Sequence, residues 1–245
     1  MICFTGDTHG DFSRFMINSF PKQVSMTKND YVIICGDFGG VWNNDEQENK
    51  VLDWLESKTF TTLFVDGNHE NFDLLNSYPL EEWNGGLVHK IRPSVIHLTR
   101  GQVYNFHEKT VFTMGGAKSH DIKDGILEND DPDLKEKIKK LEERNALYRV
   151  NHMSWWKEEM PSEQEYQLAR KNLEKANWKV DMIISHCAPT SVIENKFRGF
   201  YDSDELTDFF DEIKSKCEFK FWFFGHYHDI GMIDDKYVLL YDEIL

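Results

Sequence analysis

The apolar positions of this chain fall in short runs separated by polar, turn-prone segments. In the first third, residues 2–6, 31–36 and 61–66 are continuous apolar stretches of β-rich composition, the pattern of buried strands. Residues 12–20 and 45–57, between them, carry helix-like spacing. Strand, helix, strand at this interval predicts a parallel sheet in an α/β domain. From 87 to 116 the texture changes. Short β-rich pieces at 95–98, 103–106 and 110–114 predict antiparallel pairing, with His107, Glu108 and Lys109 as a tight turn. Residues 118–179 are polar and read as a helical insertion, with 133–149 of helix-forming composition. Within it, Ser162-x-x-Glu165 matches a capping box that opens a helix running to about Ala176. A strand at 180–185, a helix at 204–216 and strands at 220–224 and 237–241 complete the pattern. With no repeat and no linker, a single domain over 1–245 is expected, with 118–179 as its cap.

Composition narrows the classes. Hydrophobic residues make up 40% and charged residues 29%, which excludes disordered and low-complexity chains. The longest apolar runs, such as Phe219 to Phe224 around one lysine, fall far short of the roughly 18 residues of a membrane span. The first residues lack a basic n-region and a small-residue cleavage site, so no signal peptide is expected. The charge is −15, from 28 bases against 43 acids. Twelve acids and four bases lie beyond residue 200, so −8 of the total sits there. An acidic surface repels long polyanions and disfavours long nucleic acid as a partner. A small phosphate ester stays open, because a metal site reverses the local field. Cys3, Cys35, Cys187 and Cys217 make no CxxC, and three of them lie in or beside apolar strand-like runs and read as reduced core thiols, which predicts a cytoplasmic setting. No membrane partner is expected, and composition leaves the oligomeric state open.

The candidate chemistry sits where the predicted strands end. Asp7-Thr8-His9 follows the first strand, Gly36-Asp37 the second and Gly67-Asn68-His69-Glu70 the third. His186 follows the strand after the insertion, and Gly225-His226-Tyr227-His228 the next. In an open α/β sheet, ligands bind outside the carboxyl ends of the strands. Imidazole with carboxylate oxygen suits borderline divalent ions such as Mn, Fe, Co, Ni or Zn. Two Asp, one Asn and five His are too many for one ion with an open position. Two ions roughly 3.5–4 Å apart, bridged by one carboxylate, use them well.

In this order, Asp7-x-His9, Gly36-Asp37, Gly67-Asn68-His69-Glu70, His186 and Gly225-His226-x-His228 resemble the five motifs of the calcineurin-like metallophosphoesterase superfamily. Residues 154–162, Ser-Trp-Trp-Lys-Glu-Glu-Met-Pro-Ser, resemble the middle of bacterial and phage members. The resemblance implies an α/β class, four-layer α/β/β/α sandwich. It places Asp7, His9 and His228 on one ion, and Asn68, His186 and His226 on the other. Asp37 would bridge the two, Mn being the first choice of metal, with Fe, Ni, Co or Zn as substitutes. His69 would stand unligated as general acid or phosphate contact, beside Asn68, and Glu70 would support the loop. A water activated by both ions would attack phosphorus directly, with no phospho-enzyme.

The chain departs from the protein Ser/Thr phosphatase branch. At the second motif it reads Gly36-Asp37-Phe38-Gly39-Gly40-Val41-Trp42, without the second Asp and the Arg of that branch. Gly-His-x-His is closer to the phosphodiesterase and nuclease branches. Hydrolysis of a small phosphodiester or nucleotide-type ester is therefore the expected activity, with a phosphomonoesterase as the alternative. A nuclease, or a scaffold that has lost catalysis, are further rivals. Arg198, in a glycine-adjacent loop, is a candidate phosphate contact, and His120 and Asp121 are candidates to line the cleft. Trp155 and Trp156 read as packing residues rather than a base-stacking platform. The charge run from Lys135 to Arg144 reads as a solvated helix face, and His97 and His152 as ordinary core or surface histidines.

Overall fold

The continuous apolar runs do pair into sheets. The computed structural model describes residues 1–197, 199 and 201–245, with Asn195 described in its backbone alone. Its first half holds β1 (Ile2–Thr5), β2 (Tyr31–Cys35), α1 (Glu46–Glu56), β3 (Thr61–Val65), α2 (Phe72–Leu75), β4 (Leu80–Trp83), β5 (Gly86–Arg92) and β6 (Val95–Leu98). β7 (Gln102–Phe106) and β8 (Lys109–Met114) follow, then β9 (Gly125–Leu127), α3 (Leu134–Glu142), β10 (Tyr148–Val150) and α4 (Glu163–Lys175). The last part holds β11 (Met182–Ser185), α5 (Thr190–Phe197), α6 (Glu205–Lys216), β12 (Phe221–Phe224), β13 (Gly231–Ile233) and β14 (Tyr237–Leu239).

One six-stranded sheet runs β1-β2-β3-β6-β5-β4, the other β13-β14-β12-β11-β8-β7. The inner strands of each are parallel, and antiparallel strands close the far edges. Phe4, Ile33, Leu63 and Val65 of the first sheet pack against Val111, Ile184, Phe223 and Val238 of the second, so the sheets lie face to face. α1 covers the outer face of the first sheet with Leu52 and Leu55. α4 and α6 cover that of the second with Tyr166, Ala169, Leu173, Phe210 and Ile213. The four layers expected from the resemblance are present. No helix among the described residues is long and apolar enough to cross a membrane.

Local chemistry explains the element ends. Asp45 caps α1 by accepting from Glu48 N–H, and the Ser162–Glu165 capping box opens α4 as the sequence predicts. His107 and Glu108, at φ 47° and 66°, make the two-residue turn between β7 and β8. Two expected helices differ. Residues 12–20 form no α-helix, only a 3₁₀ turn at Ser13–Phe15 that ends where Met16 turns extended (ψ 148°). Pro21 then keeps Phe20 out of helical dihedrals, and a second 3₁₀ turn follows at Pro21–Ser25. The helix expected over 133–149 stops at Glu142, where Asn145 turns left-handed (φ 52°) and β10 begins to pair with β9. α3 buries none of its residues, as its charge run predicts. The 118–179 segment thus divides: the β9–β10 ribbon and α3 stand clear of the sheets, whereas α4 packs on the second one.

Candidate metal centre

Five strand ends meet along one edge of the sandwich. Asp7 and His9 follow β1, Asp37 follows β2, Asn68 and His69 follow β3, His186 follows β11, and His226 and His228 follow β12. Backbone bonds sew their loops together. Thr8 and His9 N–H donate to Asp37 O at 3.1 and 2.8 Å, and Gly225 N–H donates to His186 O at 2.9 Å. The Asp7 carboxylate joins the two sheets by accepting from His226 N–H at 2.9 Å. Asp37 Oδ1 accepts from His69 N–H at 2.8 Å. His9, Asp37, His226 and His228 all have φ between 45° and 70°, a strained region held only where the surroundings enforce it. A side chain at Gly36 (φ 95°) would run into the His186 ring, and one at Gly67 into the Asp37 carboxylate.

Asp7 Oδ2 lies 3.1 Å from His228 Nε2 and 3.7 Å from His9 Nε2, and those two ring nitrogens are 3.2 Å apart. Asp37 Oδ2 lies 3.3 Å from His186 Nε2 and 3.7 Å from His9 Nε2. Two donor triads result, Asp7–His9–His228 and Asp7–Asp37–His186, each with its ligand atoms within 4.8 Å of one another. The first is the set the resemblance implies for one ion. In the second, His186 keeps company with both carboxylates. The His226 ring is 4.9 Å from that of His186, but its Nε2 faces His120 Nε2 at 3.1 Å. The His69 ring stands 5.3 Å from that of His9. Arg198 lies outside the described residues.

Three buried atoms here have no acceptable hydrogen bond among the described residues: Asp7 Oδ2, Asn68 Oδ1 and His186 Nε2. Buried polar atoms are seldom left so. His186 Nδ1 sits 2.8 Å from Cys35 O, an acceptor, so Nδ1 carries a proton and Nε2 is left aimed at Asp37. A carboxylate oxygen, an amide oxygen and an imidazole nitrogen are donors that borderline divalent ions take together. The residues present fit a divalent metal centre.

The electrostatics point the same way. Burial works to raise the Asp37 carboxyl, but His186, His69 and His9 outweigh it and hold it well below the carboxylate range. Asp7 is lowered likewise, burial being outweighed by His186 and His228. Burial would lower His186, yet Asp37 and Asp7 push it up to about 10. Burial, with help from His186, takes His226 down to about 3. Burial also lowers His69, and the Arg149 guanidinium adds to that effect. Glu70 is pushed up to about 8 by burial and by Asp37, while it accepts from Phe38 N–H at 2.7 Å and Gly39 N–H at 3.3 Å.

Several residues of the site lie outside the five motifs. Arg14 donates to the carbonyls of Gly6, Asp7 and Tyr241 at 3.2, 2.7 and 2.6 Å and so fixes the first loop. Ser119 meets Asn68, His120 meets His226, and Asp121 pairs with Arg149 of β10. Trp156 is buried, with its indole N–H on Asp73 at 2.7 Å and its ring edge-on to Trp42, which is packing rather than stacking on a ligand. His97 is a core histidine, its Nε2 3.0 Å from Asp66 Oδ1. A ligand-type residue after a strand is a readable signal. A serine or arginine reaching in from 50 or more residues away is not.

A family model described as calcineurin-like phosphoesterase matches residues 1–229. A lariat debranching enzyme of Drosophila pseudoobscura pseudoobscura is 23% identical over 256 residues, covering 93% of this chain and 42% of that protein. The chain therefore spans less than half the length of that curated relative. With the match running over nearly the whole chain, the protein belongs to the calcineurin-like phosphoesterase family, whose members hydrolyse phosphate esters at a metal centre.

Proposed function

We propose that the protein hydrolyses a small phosphodiester or nucleotide-type ester with two divalent ions, Mn being the first candidate. The observation that carries this reading is that two donor triads, Asp7–His9–His228 and Asp7–Asp37–His186, stand beside an open cleft. A cleft of about 450 Å³ is lined by His9, Phe12, Trp42, Asn43, Val51 and His69. A second recess of about 20 Å³, room for roughly one water, lies at His226 beside Lys118, His120 and Tyr201. The diester preference is supported by the Gly225-His226-Tyr227-His228 ending, which is closer to the phosphodiesterase branches than to the Ser/Thr phosphatases.

In this reading Asp7, His9 and His228 hold one ion, Asn68, His186 and His226 the other, and Asp37 spans the pair. Bound divalent ions supply Lewis acidity, making a water nucleophilic near neutral pH and offsetting charge on the phosphoryl oxygens. Asp37 is kept ionised by the histidines around it, so it holds its place without a proton to lose. His69, unligated and at the mouth of the larger cleft, gives a proton or hydrogen bond to the departing oxygen. The four cysteines are buried free thiols, which supports the cytoplasmic setting.

The test is turnover of bis-p-nitrophenyl phosphate against p-nitrophenyl phosphate, with Mn(II) returned to chelator-stripped protein and Asp37→Asn as control. Metal-dependent diester turnover that vanishes in the control is expected. Preference for the monoester would replace this reading with a phosphatase. The name of the Drosophila relative favours a second reading, cleavage of a branched nucleic acid. The net charge of −15 weighs against it, and hydrolysis of a nucleic acid that falls steeply with salt would support it.

A further inference from the structure

Asn68 has an amide with two chemically opposite ends and one correct orientation toward an ion. Its Nδ2 donates to Ser119 Oγ at 3.2 Å, and its Oδ1 is buried with no hydrogen-bond partner among the described residues. Ser119 is in turn held by Glu159. The Ser119 hydroxyl donates to Glu159 Oε2 at 2.5 Å, and Ser119 N–H donates to Glu159 Oε1 at 3.0 Å. All three residues are buried, with exposures of 6% for Asn68, 5% for Ser119 and 1% for Glu159.

A hydroxyl has one proton to give. Burial raises the Glu159 carboxyl, while both of its oxygens face Ser119 donors, Oε1 the N–H and Oε2 the hydroxyl. With Glu159 ionised it only accepts, so that proton goes to Glu159, and toward Asn68 the serine oxygen only accepts. The end of the amide facing Ser119 must then be the NH₂ group. We propose that Glu159, acting through Ser119, is a positioning residue that fixes the amide of Asn68 with its oxygen toward the second metal ion. The inference rests on the reading of Asn68 as a ligand of that ion. It assigns a role to Glu159 in the Trp-Trp-Lys-Glu-Glu stretch, which lies outside the five metal-ligand motifs.

The relay has a polarity, and polarity is testable. In Glu159→Gln, Ser119 N–H still needs an acceptor and takes the glutamine oxygen. The glutamine NH₂ then points at Ser119 Oγ, and the hydroxyl proton turns to Asn68. The amide must rotate to accept it, which removes its oxygen from the ion. Asn68→Asp has an oxygen at both ends, so its orientation no longer matters.

The experiment is calorimetric titration of chelator-stripped protein with Mn(II), read as stoichiometry and Kd, beside the thermal melt of the metal-free form. Wild type is expected to bind two ions. Glu159→Gln should melt near wild type yet weaken the second ion by tenfold or more, as such outer supports do. Adding Asn68→Asp to Glu159→Gln should restore the second ion, which a merely structural role for Glu159 would not allow. If Glu159→Gln fails to fold, Ser119→Ala serves: nothing then selects the amide orientation, and Asn68→Asp should again rescue the loss. Two ions bound at wild-type affinity by Glu159→Gln, or a loss that Asn68→Asp leaves uncorrected, overturns the relay. A wild-type chain that takes up no Mn(II) sinks the metal centre itself, a different outcome readable before any variant is made.

Discussion

Arg100 grips Asp66 with Nε at 2.8 Å and Nη2 at 2.5 Å, in a place where neither side chain exceeds 5% exposure. Asp66 directly follows β3 and precedes the Gly67-Asn68-His69 loop, and Arg100 Nη2 also reaches Glu158 O at 2.7 Å. The pair therefore ties the metal loop to the segment that bears Glu159. Burial works to raise the Asp66 carboxyl, but Arg100 and His97 outweigh it and hold it far below the carboxylate range. Asp66→Asn would leave a buried guanidinium with only the more distant Glu165 carboxylate, 3.6 Å away, at a cost of about 3–5 kcal/mol in urea unfolding. A lowered folded value means that the stability is present above the unfolded carboxyl value, about 3.9, and is lost as pH falls below it. Wild type should thus lose stability steeply on acidification below about pH 4, and Asp66→Asn should lose less over the same interval.

His186 makes a prediction of opposite sign. Its folded value without metal is raised to about 10, so its protonation stabilises the metal-free fold below the unfolded value, and that gain fades as pH rises toward 10. An ion must displace that proton. Titration at pH 7.5 in buffers of different ionisation heat should show release of about one proton with the ion that His186 binds. Apparent affinity for that ion should rise as pH is raised from 7 to 9. Uptake without proton release would show that His186 is neutral or unligated.

His69 should reveal itself through the leaving group. His69→Ala should cost about 10²–10⁴ in kcat for diesters with alkyl leaving groups, which need a proton. With p-nitrophenolate, which leaves readily unprotonated, the loss should be far smaller. Metal content should not change. Equal losses for both leaving groups would assign His69 to phosphate binding instead.

Arg149 enters from the ribbon that stands clear of the sheets, is held by Asp121, and acts electrostatically on His69. It supplies a cation at a centre whose second motif lacks the arginine of the Ser/Thr phosphatases. Arg149→Ala should raise KM for a phosphate ester roughly tenfold or more, the scale of a lost charged hydrogen bond. Metal stoichiometry should stay at the wild-type value. An unchanged KM would confine Arg149 to bracing Asp121.

The strands and the residues at their ends were legible in the sequence because both signals are local. A buried parallel strand is an uninterrupted apolar run, and Asp7, Asp37, Asn68, His186 and His226 each break one. What escaped was set by distant partners. The β4–β5 hairpin hides in a segment where Leu80, Glu81 and Glu82 are all exposed, so no alternation of burial marks the edge strand. β9 and β10 are three residues each and are defined by pairing with one another across α3, which composition does not encode. Ser119 and Glu159 look like any serine and glutamate in a polar stretch. Only the fold shows that both are buried and bonded to each other.

His9 and His228, whose ring nitrogens stand 3.2 Å apart, are separated by 219 positions in the chain. Contacts of such long separation cost most in closure entropy and accrue late in folding. In the Asp7–His9–His228 triad two ligands follow β1 and the third follows β12, with both sheets required between them. During refolding, then, ion uptake should lag behind hydrophobic collapse and coincide with the final docking of the sheets. The metal would report on completion of the fold rather than nucleate it.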